Sequence, residues 1–176
     1  SSVMSSVSDE FGVFEMPYII KDREHMKRVQ AELGDTFQAA AQAKGYHIIG
    51  YFENGFRHIT NNTRPINVPS DLEGVKLRTP KSKWRLQMFK LYGANPTPMA
   101  FSEVFTALKT GVMDGQENPY AQIASANFQE VQKYLSITGH VYTPAYILSS
   151  KKHFDKQPAD VRKVLNSCAA STQTFV

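Results

Sequence analysis

The chain has 176 residues, 41% of them hydrophobic and 20% charged, with 20 Lys and Arg against 16 Asp and Glu. That is the composition of an ordinary globular protein able to bury a sizeable core as one domain or two small ones, and it excludes a disordered tail. No apolar run reaches the roughly 18 to 20 residues of a membrane helix, and the net charge of +4 is uneven, −2 over residues 1–52 and +3 over each of 53–138 and 139–176, which suits an anionic partner for the middle and end.

The Ser-rich start SSVMSSVSDE reads as a loop and lacks the basic and apolar stretches of a signal peptide, so an exported form would already have lost that segment. FGVFEMPYII (11–20) is a buried connector or edge strand interrupted by Pro17. Asp22 caps a helix to about Lys44 whose Met26, Val29, Leu33, Phe37 and Ala40 share one face, and Gly45 stops it. YHIIGYF (46–52) is a strand, Asn54-Gly55 a turn, and FRHIT (56–60) a second extended piece. Ser70 and Glu73 form a capping box for one helical turn, VKLRT (75–79) is a strand, and Ser82 introduces a helix ending at Gly93. ANPTPM is a loop, Ser102 caps a helix through Lys109, and VMD (112–114) is a short strand leading into GQEN. Asn118 caps a helix opened by Pro119, Val141–Leu148 is the last strand, and Pro158 starts a final helix with Val161, Val164, Leu165, Cys168 and Phe175 inward. Helices alternating with short strands predict an α/β class with a largely parallel sheet.

Catalytic patterns are absent. There is no Gly-x-Ser-x-Gly elbow and no phosphate- or dinucleotide-binding glycine loop; His58, His140 and His153 are scattered, and a lone Cys168 with five histidines argues against a structural zinc site. Asp114 and Glu117 are close in sequence but sit in a tight segment that suits a structural role at least as well as acid/base work. The basic window Lys76–Lys90, with Trp84 and Phe89 interleaved, superficially resembles a nucleic-acid surface, yet reads more simply as the solvated face of an amphipathic helix. Arg78 stands apart: it follows a strand and precedes a helix N-terminus, where a guanidinium beside free amides makes a place for a carboxylate or phosphate.

Four stretches in order, ENGFRHITN (53–61), DLEGVKLRTP (71–80), YGANPTPMAFSEVFTALKTGVMDGQENP (92–119) and FQEVQKYLSITGHVY (128–142), resemble the solute-binding proteins of TRAP (tripartite ATP-independent periplasmic) transporters, of the dicarboxylate-receptor type. The resemblance runs from about Phe11 onward. It implies a periplasmic, two-lobed α/β binding protein with crossing strands, no cofactor and no enzymatic activity, closing on a small organic acid and delivering it to TRAP permease membrane subunits. It assigns Arg78 the two-pronged salt bridge to the ligand carboxylate, Arg57 a second charge contact, Asn118 a hydrogen bond to the same group and Phe101 a place lining the cleft. Trp84, close after Arg78, could present a ring face to the ligand. Family members extend beyond both ends of this chain, so the resemblance implies a partial chain: residues 1–54 part of lobe I, 55–138 a near-complete lobe II, and 139–176 a return to lobe I.

Residue chemistry leaves alternatives open at each position. Asn118 could be a helix cap, Phe101 plain core, Arg57 a partner of Glu53 or Asp71, and Arg78 one half of a structural ion pair. The resemblance adds a departure: relatives that bind highly polar sugars can carry amide or acidic residues in the returning segment, which here is apolar around Tyr142, Pro144, Ala145 and Tyr146. This implies a small or aromatic monocarboxylate rather than a large polyhydroxylated acid. At the level of function, a sensor module using the same cleft, or a small enzyme acting through His58 or His140, are the readings from other classes.

Overall fold

A computed structural model describes residues 3–175. A short helix α1 (Met4–Val7) and a 3₁₀ segment, Asp9–Glu15, replace the expected loop and connector. Phe11 and Phe14 on this segment turn inward, and helical turns let both rings reach one core where an extended strand broken by Pro17 would not. Helix α2 (Arg23–Ala43) starts as the sequence requires, with the Asp22 carboxylate accepting from the His25 amide at 2.6 Å. Its buried face is Met26, Phe37 and Ala41, while Leu33 remains exposed.

Strand β1 (Tyr46–Asn61) runs straight through the Asn54-Gly55 signal. Asn-Gly makes a hairpin only when the flanking strands pair with each other. Here both halves pair with β5, and Gly55, at φ +107°, is absorbed as an irregularity where the register shifts between Glu53 and Gly55. The Asn54 side chain fastens it, donating to Thr143 Oγ1 at 2.9 Å and accepting from Gln122 at 2.6 Å.

A 3₁₀ turn (Pro69–Leu72) follows, its entry held by Asp71, which accepts from the amides of Asn67 and Val68, in place of the expected Ser70–Glu73 box. Strand β2 (Lys76–Thr79) leads to helix α3 (Lys83–Leu91), capped by Ser82. The expected loop after it contains strand β3 (Asn95–Pro98), at the sheet edge where prolines remove no needed donor. Helix α4 (Phe101–Lys109) starts ahead of Ser102, with Glu103 accepting from the Ala100 amide. Strand β4 is GQEN itself (Gly115–Asn118), not VMD, and α5 (Tyr120–Ser125) has Pro119 at its cap position. Strand β5 (Tyr134–Ser150), helix α6 (Lys151–Asp155) and helix α7 (Ala159–Phe175) complete the described residues.

The sheet order is β3-β2-β4-β1-β5, with β2 parallel to β3 and β4, and β1 antiparallel to β4 and β5. It is mixed, not largely parallel, because two long strands return alongside each other. Those strands thread two cores. Ile48 and Tyr142 belong to the first, with Phe11, Phe14 and Phe37; Ile59 and Val141 belong to the second, with Leu77 and Phe89. A third core around Val104, Leu108 and Phe128 lies under α4 and α5. Helix α7 meets β1 where Ala169 packs onto Gly50, a position with no room for a Cβ. This contact turns the predicted inner face outward: Val161, Val164, Leu165 and Cys168 are exposed, and the side chain of Phe175 lies outside the described residues.

Candidate functional site

The parallel strands β3, β2 and β4 end on one side of the sheet, at Pro98, Thr79 and Asn118. The crevice outside such carboxyl ends is where open α/β sheets take ligands. Arg78 lies at the end of β2, Asn118 at the end of β4, and Phe101 opens α4 directly after β3; β1 brings Arg57 alongside, since His58 is paired with Asn118.

Arg78 is only 3% exposed. Its Nε and Nη2 donate to the Met99 carbonyl at 3.0 and 2.6 Å, and its guanidinium carbon lies 6.0 Å from the centre of the Phe101 ring. No carboxylate among the described residues forms an ion pair with it. Burial pushes its pKa down to about 10, against the pull of Glu117, with Arg57 adding repulsion. Arginine stays charged regardless, so the shift reflects the net cost of holding a buried cation that Glu117 attracts from a distance but that no carboxylate pairs with.

Beside it lies a buried ionic cluster whose hub is Glu117. Arg57 Nε and Nη2 donate to the Glu117 carboxylate at 2.5 and 2.9 Å, and Nη2 also reaches the Glu117 carbonyl at 2.6 Å and Asn118 Oδ1 at 3.0 Å. Arg85 Nη1 donates to Glu117 at 3.1 Å, while its Nε and Nη2 donate to Glu15 at 3.2 and 3.0 Å. His140 Nε2 sits 3.1 Å from Glu117, with the Thr138 hydroxyl on its other nitrogen at 2.8 Å. Burial would raise the Glu117 carboxyl, but the guanidiniums of Arg57 and Arg85 and the hydrogen bonds it accepts hold it well below the carboxylate range. Burial pushes His140 down to about 4, so it is neutral and donates through Nε2. Three buried arginines therefore face two buried carboxylates, and the unmatched charge is Arg78.

Several sequence readings change. Arg57 pairs with neither Glu53, which binds Arg23, nor Asp71, which caps a turn. Asn118 is not a helix cap: it accepts from Arg57 and donates to Gln116 at 2.5 Å. Phe101 is not plain core, being 45% exposed with its ring against Phe128 at 5.7 Å. The Trp84 indole is set against Gly12 of the 3₁₀ segment, under the Lys83 ammonium, in an apolar crevice with Met16, Met88 and Tyr92. Arg85, read as part of a solvated basic face, is fully buried. Residue type alone does not single out Glu15 or Arg85; in the sequence Glu117 stands out only beside Asp114, as a carboxylate suited to a structural role, and it is the hub of this cluster. His58 accepts from the Gly139 amide at 3.1 Å and stacks on Tyr120. Among the described residues there is no cluster of three groups able to hold a metal ion.

The whole chain, residues 1–176, matches the bacterial extracellular solute-binding proteins, family 7 (DctP). The chain belongs to this family. It is 38% identical over 176 residues to the 2,3-diketo-L-gulonate-binding periplasmic protein YiaO of Escherichia coli, covering 99% of this chain and 54% of that protein. It is 38% identical over 167 residues to the C4-dicarboxylate-binding periplasmic protein DctP of Rhodobacter capsulatus, covering 94% and 50%. Among solved structures, a TRAP periplasmic solute-binding protein from Polaromonas sp. JS666 bound to D-erythronate superposes with a TM-score of 0.93 at 41% identity, over 97% of this chain and 57% of that one. The chain thus spans about half the length of the curated relatives it matches. These relatives are binding proteins, not enzymes.

The ligands named for solved relatives also include L-galactonate and β-D-glucuronate, which are polyhydroxylated acids. The apolar returning segment does not argue against such ligands, because Tyr142 is packed on Phe56 and Tyr146 on Phe11 and Tyr51. Its aromatic character serves the first core.

Proposed function

We propose that the protein carrying this chain is the periplasmic receptor of a TRAP transporter, that it captures a hydroxylated organic acid, and that it hands the acid to membrane permease subunits. The observation that carries this reading is Arg78: a desolvated guanidinium at the carboxyl end of β2, held by one carbonyl and facing no counter-ion. A ligand carboxylate would supply the missing charge, and a planar guanidinium fixes its orientation where a lysine would only attract it. Asn118 and Arg57 add donors beside it, and Phe101 supplies an apolar wall. Trp84 contributes packing near the cleft rather than a ligand contact.

Residues 55–138 form one lobe, and 1–54 with 139–176 contribute to the other. The support for this division is that β1 and β5 each run from the first core into the second, as strands crossing between lobes do. No helix among the described residues is long and apolar enough to cross a membrane.

The test is calorimetric titration of the intact receptor with D-erythronate, L-galactonate and D-glucuronate, using the corresponding uncharged polyols as controls. Binding of at least one acid, no binding of polyols, and a loss of about 2–5 kcal/mol in Arg78→Ala are expected. Unchanged affinity in Arg78→Ala defeats the assignment.

A further inference from the structure

We infer that Glu15 is a positioning residue for the anion site, acting through Arg85 and Glu117 on Arg57 and Asn118; this rests on the receptor reading above. The chain of contacts is continuous and buried. Glu15, 1% exposed, accepts from Ser82 at 3.1 Å and from two nitrogens of Arg85. The remaining arm of Arg85 reaches Glu117, which holds Arg57, and Arg57 in turn donates to the Asn118 side-chain oxygen.

The segment that carries Glu15 has two faces. Phe11 and Phe14 anchor it in the first core, whereas Asp9, Gly12 and Glu15 meet the first turn of α3, with Asp9 on Lys83 at 2.9 Å and Gly12 under Trp84. In the proposed division these contacts run from one lobe to the other. A polar junction of this kind can part and re-form, whereas an interdigitated apolar core resists sliding.

Electrostatics gives the junction its leverage. With Glu15 in place, the Arg85 charge is divided between two carboxylates, and Glu117 remains free to hold Arg57 in the two-pronged geometry that sets Asn118. With Glu15 withdrawn, the whole Arg85 charge falls on Glu117, in competition with Arg57, and the donors flanking Arg78 lose their fixed placement. Approach of the 9–15 segment to α3 is thereby coupled to the geometry that receives the carboxylate. Removing a buried partner of a charged network is felt at its neighbours, and such coupling appears as non-additivity.

The experiment uses the intact receptor and whichever of D-erythronate, L-galactonate or D-glucuronate it binds. Glu15→Gln is expected to weaken binding by about tenfold or more, mainly through faster dissociation, while Glu15→Asp, which keeps the charge, stays within about threefold. In an Asn118→Ala background, Glu15→Gln is expected to add less than about twofold, because the relay's endpoint is already gone. A purely structural role would lower the melting temperature and leave dissociation unchanged, whereas an effect on binding independent of Asn118 would make the two losses multiply; either result overturns the inference. Should Glu15→Gln fail to fold, Arg85→Lys carries the test, since an ammonium cannot span two carboxylates; unchanged affinity there also overturns it. A wild-type receptor that binds no acid sinks the receptor reading and this role together, whereas acid binding that needs Arg78 but ignores Glu15 sinks only the latter.

Discussion

Replacing Arg78 by Met separates function from stability in a way few buried arginines allow. Burial lowers this guanidinium from 12.5 to about 10. At about 1.4 kcal/mol per factor of ten, that corresponds to a net cost of about 3 kcal/mol for keeping the group charged in this buried place, after Glu117's attraction and Arg57's repulsion. Its two hydrogen bonds share one acceptor, the Met99 carbonyl, and count as one charged contact that returns about 1.5–3 kcal/mol. The balance predicts that ligand-free Arg78→Met is between equally stable and about 1.5 kcal/mol more stable than wild type, while acid binding is lost. Arg57→Met is the contrasting control: it strips Glu117 of its two-pronged partner and should cost about 3–5 kcal/mol. Denaturant unfolding of the ligand-free proteins, with calorimetric titration alongside, reads both quantities. If Arg78→Met destabilises as much as Arg57→Met, Arg78 is one half of a structural network and the unmatched-charge argument is wrong.

The ionic cluster also sets a pH dependence. Because burial pushes His140 from 6.5 down to about 4, the unfolded chain takes up a proton in that window that the folded chain refuses. Stability from this group is therefore complete above pH 6.5 and falls as the pH drops toward 4, by up to about 3 kcal/mol. Glu117, whose carboxyl is held low in the fold, extends the decline in the same direction below its ordinary value of 4.5. Urea melts from pH 7 to 4.5 should show the slope, and His140→Gln should flatten it; parallel profiles would refute the assignment. At Gly115 a Cβ would lie 2.4 Å from the Thr60 carbonyl and 2.8 Å from Asn61 Cβ, so Gly115→Ala should lower unfolding free energy by about 1–3 kcal/mol or more by prising β4 from β1. A denaturant midpoint within error of wild type would show that the strands yield at no cost.

Much of the local structure was legible in the chain. Asp22 and Ser82 announced the starts of α2 and α3 because a cap needs only a short side chain and amides two or three residues on. The Asn54-Gly55 signal failed for the opposite reason: whether a positive φ becomes a hairpin or an irregularity depends on which strand lies alongside, and β5 is some 90 residues away. The inward stripe on α7 failed likewise, since periodicity shows that a helix has an apolar face but not which neighbour covers it.

The sequence by itself determined the class of protein, the family, and the candidacy of Arg78, because a strand followed by a helix start is a local pattern and the motifs are contiguous. Tertiary structure decided which charges are matched. Glu15 reaches Arg85 across 70 residues and Arg57 reaches Glu117 across 60, and a guanidinium's partners follow from strand order and helix placement rather than spacing. The uneven charge across the chain gave only a leaning toward anions. Among the described residues, folding leaves one buried arginine, Arg78, without a carboxylate partner, because a guanidinium's partners are set by the tertiary arrangement and desolvation makes a missing one costly.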